Sequence, residues 1–217
     1  MRFVPCRDGT LVGENKNLGI RLEVQNVKNP TIVQIEAHKY NSLRRSIMKS
    51  KFLWWKLIVG FLFFLFFHQI YAILGGNLLG KILGEGFESI YTHMKMYFYS
   101  YLCMSAIEYF MRRRQIISAG TFWTTRMLIA SAFPWMSIAI WFIPIALGFD
   151  LGDYELAYSL ILTVLGFYFA IRLDEGLEGV TFRPALNALI WLAFAAALIT
   201  YTGFSFDVPD NFFKVVE

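Results

Sequence analysis

The chain reads as an all-α polytopic membrane protein. It should have five transmembrane helices behind a short N-terminal cytoplasmic segment of strands and helix. Three observations predict this. Of its 217 residues, 57% are hydrophobic and 17% charged, with 22 Phe, against about 45–50% apolar and about 25% charged in an ordinary soluble domain. Formal charge is absent from Leu57–Gly80, Met127–Phe149 and Ala185–Phe206, and a bilayer core takes about 20 helical residues to cross. The basic residues also fall on one side of the resulting topology.

That third point decides the number of spans. Two shorter runs remain, Met96–Met111 with one acid, Glu108, and the charge-free Leu156–Ile171. Both reach full length if Lys95, Glu155 and Arg172 extend toward headgroups. With five spans and the N-terminus inside, segments 1–56, 112–126 and 172–183 are cytoplasmic and hold 11, 4 and 2 basic residues, 17 of the 20 Lys and Arg. The positive-inside rule expects that asymmetry. Four spans would put Arg112, Arg113 and Arg114 opposite the basic N-terminus. The net charge of +4 thus reads as topology anchoring, and nucleic acid is not expected as a partner. Backbone amides in lipid pair internally, so the spans are helices. Trp54, Trp55 and Trp123 fall at the inner interface, Tyr154 and Tyr201 at the outer one, as an aromatic belt requires.

In chain order, residues 1–50 form the cytoplasmic segment. The opening MRFVPCRDGTLVGENKN is polar, without the apolar core of a cleavable signal. Ile20, Leu22 and Val24 alternate with Arg21, Glu23 and Gln25, a strand pattern. Asn29-Pro30 opens a basic helix that carries Arg44 and Arg45 toward lipid phosphates. Residues 51–206 hold the five helices. GGNLLGKILGEGFESI (Gly75–Ile90) should be a short interfacial or re-entrant element outside. Pro134 and Pro144 kink span three, because proline removes a helix hydrogen bond. Residues 207–217 are an external tail. Cys6 and Cys103 lie in unlike surroundings, and no disulfide between them is expected.

The candidate chemistry is sparse. His68 and His93, at the outer ends of spans one and two, are the candidates for a bis-histidine haem or a metal. No HxxxH or CxxCH pattern accompanies them, and the expectation is no cofactor and no metal. Glu108 and Arg112 are four residues apart, the spacing of a helical ion pair. Asp150, Asp153 and Glu155 read as a turn and helix start. GxSxG, HExxH, CxxC and Walker patterns are all absent, so no enzyme is expected. Arg172, Asp174, Glu175, Glu178 and Arg183 form a charged knot between spans four and five. Gly176 and Gly179 would reverse the chain there, and Thr181 would cap a helix starting near Pro184. The knot reads as a solvated elbow that can dock a cytoplasmic partner.

Three stretches carry a family resemblance: GTFWTTRMLIASAFPW (Gly120–Trp135), GFYFAIRLDEGLEGVTFRPALNAL (Gly166–Leu189) and the WLAFAAALI that continues it. Over roughly residues 43–203 the order of features resembles the Yip-domain family, five-helix membrane proteins whose eukaryotic members are named for interaction with Ypt/Rab GTPases. The acidic-Leu-Tyr-Gly-Pro motif of those members is missing, so the resemblance implies a prokaryotic-type member. It implies a non-enzymatic scaffold or accessory subunit of a larger complex, partnered by lipid and other membrane subunits in a hetero-oligomer. Small residues, Ser131 and Ala132 on span three and Ala193, Ala195, Ala196 and Ala197 on span five, would mediate helix contacts. A transporter or lipid-handling component with a cavity at the Pro-kinked helix, and a haem-bearing electron-transfer subunit at His68 and His93, are the alternatives.

Overall fold

The structure, a computed structural model, describes residues 54–84, 89–116 and 118–206, together with the backbone of residues 2–5, 11–15 and 20–24. Arg44, Arg45, the basic helix expected after Pro30 and the C-terminal tail lie outside the described residues. The chain divides into two compact units, Met1–Trp54 and Trp55–Glu217.

The first unit holds three short strands, β1 (Arg2–Pro5), β2 (Leu11–Asn15) and β3 (Ile20–Val24). They pair antiparallel in the order β1-β2-β3, with Phe3 and Leu22 both opposite Gly13.

The second unit is helical: α1 (Trp54–Ile73), α2 (Leu78–Leu83), α3 (Ile90–Arg112), α4 (Ala119–Ala146), α5 (Glu155–Leu177) and α6 (Pro184–Gly203). Four of its segments, Trp54–Ile73, Ala119–Ala146, Gly152–Leu177 and Pro184–Gly203, are long and apolar enough to cross a bilayer. This is the architecture of a multi-pass helical membrane protein.

Several expected limits shift, each for a local reason. The charge-free run Leu57–Gly80 is not one helix. It breaks after Ile73, where Gly75 and Gly76 both take positive φ, a conformation glycine adopts without steric cost. Asn77 then starts α2 by accepting a hydrogen bond from the Gly80 amide at 2.9 Å. A Cβ on Gly84 would lie 2.9 Å from the Phe67 carbonyl oxygen and 2.6 Å from Ile70 Cγ2, so α2 ends hard against α1. The helix around Met96–Met111, α3, runs longer than that apolar stretch, from a Ser89 cap to Arg112. Span three starts earlier, at a Ser118 cap, takes in Arg126, and continues through both prolines. Span four extends to Leu177, so Arg172, Asp174, Glu175 and Gly176 are helical rather than loop. Gly179, with φ of 85°, makes the reversal. Thr181 does not cap α6: Arg183 occupies that position and Pro184 is the first helical residue. Tyr201 is not an interfacial belt residue, since its side chain is buried against Phe98, ring centroids 4.9 Å apart.

The core centres on α3. Twelve of its 23 residues are buried, among them Thr92, Lys95, Ser100, Ser105 and Glu108. A helix sheathed by its neighbours can hold polar side chains that a lipid-facing helix cannot. For this reason α3 falls outside the apolar set. Midway along it, Phe64 of α1, Tyr97 of α3, Phe133 of α4 and Phe167 of α5 interlock. Centroid distances are 4.8 Å for Phe64–Tyr97, 5.0 Å for Tyr97–Phe133 and 5.1 Å for Phe133–Phe167. Gly60 makes room for this layer: a Cβ there would lie 2.8 Å from Phe167 Cδ1. At the opposite extreme, α6 buries only Ile190 and Tyr201. Ala193, Ala195 and Ala196 are exposed, so those alanines do not form helix contacts within this chain. The α4–α6 seam is polar instead: the Thr124 hydroxyl donates to Asn187 Oδ1 at 2.7 Å, and Trp191 Nε1 donates to Thr124 Oγ1 at 3.2 Å.

Candidate functional site: a four-helix ion cluster

Antiparallel neighbours bring the start of α1, the end of α3, the first turns of α4 and the end of α5 to one level. Each contributes charge there. Lys56 Nζ lies 2.7 Å from Glu108 Oε2 and 2.9 Å from Asp174 Oδ2. Arg126 reaches the same two acids, Nη2 3.1 Å from Glu108 Oε1 and Nη1 2.5 Å from Asp174 Oδ1. The Arg126 guanidinium also sits 4.0 Å above the Phe122 ring, a cation–π contact. All four residues are at most 1% exposed. The cluster opens outward through Arg112, which holds Glu108 Oε1 at 2.6 Å and Glu178 Oε1 at 2.5 Å.

Three cations thus meet three acids, and every oxygen of the two buried carboxylates has a cation beside it. The Lys56–Asp174, Arg126–Glu108 and Arg112–Glu108 contacts are aligned hydrogen bonds. Lys56–Glu108 and Arg126–Asp174 are close ion pairs off that alignment. Burying one charge in such a setting is costly unless a partner comes with it. Chemically the arrangement is a closed latch, with both carboxylates already occupied.

The expected Glu108–Arg112 pair forms, but as one edge of this larger network. The charged knot divides. Asp174 is not part of a solvated elbow: it is fully buried and bonds Lys56 across 118 residues of sequence. Glu178 joins the cluster through Arg112, while Arg172 and Glu175 pair with each other at 3.0 Å on the surface. Arg183 is exposed. Sequence reasoning missed Lys56, Arg126 and Asp174 as partners. The signal was present as two cations bordering apolar runs and two acids next to others, four charges that need one another at membrane depth.

The other end of the unit has a third buried cation. Lys95 Nζ donates to the Lys81 carbonyl at 3.0 Å, the Gly84 carbonyl at 2.8 Å and Ser205 Oγ at 3.1 Å. Two of these acceptors close the C-terminal end of α2, where a cation is favoured by the helix dipole. Tyr91 donates its hydroxyl to the Tyr201 carbonyl. Together Lys95 and Tyr91 tie α2, α3 and the end of α6.

The structure does bring His68 and His93 together, ring centroids 5.9 Å apart at an interplanar angle of 64°. A haem does not fit between them. One turn inward Phe64 packs on both His93, at 6.3 Å, and Tyr97, at 4.8 Å, filling the side a macrocycle would need. Pro134 is buried in the core. Near Pro144 a surface cleft of about 340 Å³ is lined by Trp141, Ile145, Phe149, Asp150 and Glu155, among others. No group of three or more potential metal ligands occurs among the described residues.

Fold and cluster define a class, a helical multi-pass membrane protein with an internal ionic latch. No family model, curated protein or solved structure matches the chain, and the Yip-domain resemblance gains no support from them.

Proposed function

We propose that the chain is a five-helix integral membrane protein acting as a non-enzymatic scaffold or accessory subunit of a larger membrane complex. In this reading α3 is the fifth span, the N-terminus is cytoplasmic and the C-terminus external. One observation carries it: all four oxygens of Glu108 and Asp174 are engaged by Lys56, Arg112 and Arg126. A general base needs an oxygen to offer a substrate, and these have none. A saturated cluster pins four helices in register, which suits a rigid platform. The exposed flank of α6 then meets lipid or a neighbouring subunit. Crosslinking followed by purification in mild detergent tests this. A reproducible membrane partner is expected, and a chain that purifies alone and monodisperse sinks the reading.

The cleft near Pro144 favours a second reading, a transport or lipid-handling component. It predicts a solute or lipid flux in proteoliposomes that Pro144→Ala alters. Flux no greater than that of empty vesicles eliminates it.

A further inference from the structure

The histidine pair carries an inference that the latch does not. His68 sits five residues before the end of α1 and His93 three residues into α3. They are 25 residues apart in sequence, yet their rings are in contact. Both are only partly buried. His93 Nδ1 lies 2.9 Å from the Ser89 carbonyl oxygen. A carbonyl only accepts, so Nδ1 is the donor here, and in the neutral ring the lone pair is then on Nε2. Fixing a ring by its other nitrogen to a backbone carbonyl is how ligating histidines are held.

The spacing fits a shared ion. With metal–nitrogen bonds of about 2.0 Å, and ring centroids about 1.1 Å behind the nitrogens, two imidazoles on one ion stand about 5 Å apart at a tetrahedral angle and about 6 Å apart in line. The observed 5.9 Å lies in that interval. Imidazole pairs suit copper and zinc above harder ions, with copper(II) bound tightest of the divalent series.

We propose that His68 and His93 form a binding site for a divalent transition-metal ion of the copper or zinc type, joining α1 to α3. Water completes the coordination, so the ion exchanges with solvent and acts as a removable staple between the two helices. Binding displaces whatever proton or hydrogen bond each ligating nitrogen holds.

Copper(II) titrated into the purified full-length protein in detergent tests this by electron paramagnetic resonance. The expected result is one saturable copper per chain with splitting from two imidazole nitrogens. His68→Gln and His93→Gln should each weaken binding at least tenfold, while His38→Gln leaves it unchanged. Zinc should raise the melting temperature of the parent chain and of neither of the first two variants. No saturable binding, a spectrum with fewer than two imidazole nitrogens, or a signal that follows His38 overturns the proposal. The spectrum of the unaltered protein decides the matter even if a variant fails to fold.

Discussion

Single side chains in the latch have different worth depending on what is left behind. Asp174 neutralises both Lys56 and Arg126 at 0% exposure. Removing one member of a buried ionic pair costs about 3–5 kcal/mol, because the survivor stays buried without its counter-charge. Asp174→Ala should therefore lose that much stability in chemical unfolding from micelles. Lys56→Met combined with Asp174→Leu should cost less than Asp174→Ala alone, since Arg126 and Arg112 still face Glu108 and Glu178 in balance. A double variant as unstable as the single would contradict the latch geometry. Gly60 offers a second residue-scale test. Its missing Cβ would stand 2.8 Å from Phe167, so Gly60→Ala must push the aromatic layer apart, at about 1–3 kcal/mol. An unchanged unfolding midpoint would mean that the layer gives way freely.

At the scale of elements, α3 and α6 invert the soluble-protein order of apolar inside and polar outside. The least apolar long helix lies innermost, and one of the most apolar faces outward. Leu192 on α6 is 67% exposed. Leu192→Lys should reduce membrane insertion by about 2.5–3.5 kcal/mol, the cost of a charge at the centre of a lipid-facing helix, as read by glycosylation mapping of α6. The native Lys95 escapes that cost because Lys81, Gly84 and Ser205 supply oxygens. Lys95→Met keeps the length but abandons the carbonyls closing α2. It should raise hydrogen exchange in α2 while sparing α4 and α5. A uniform rise across the helices would show instead that Lys95 supports the whole unit.

For the whole molecule, the alternation of spans is the testable quantity. Counting α3 as a span makes five crossings and puts the N-terminus and the C-terminus on opposite sides of the membrane. Accessibility tags at Met1 and at Glu217 should react from opposite faces, and reaction from one face would require α3 to lie outside the bilayer.

The sequence by itself determined that this is a helical membrane protein, because burying or lipid-solvating apolar residues is a local matter of run length. It also determined the Glu108–Arg112 pair, since helix geometry sets which residues four apart meet. The reversal at Gly179 was legible too, but the cap at Ser89 and the partners of Asp174 were not. Asp174 sits in a run of mixed charge that looks like any surface turn, and its burial depends on α5 continuing past Arg172 to Leu177, which lets it face Lys56. Which helix lies in the middle, and that the candidate pair His68 and His93 do touch, were decided only by the tertiary structure. Such contacts join residues tens to over a hundred positions apart. Their formation depends on how all the helices pack at once, which no local pattern of side chains encodes.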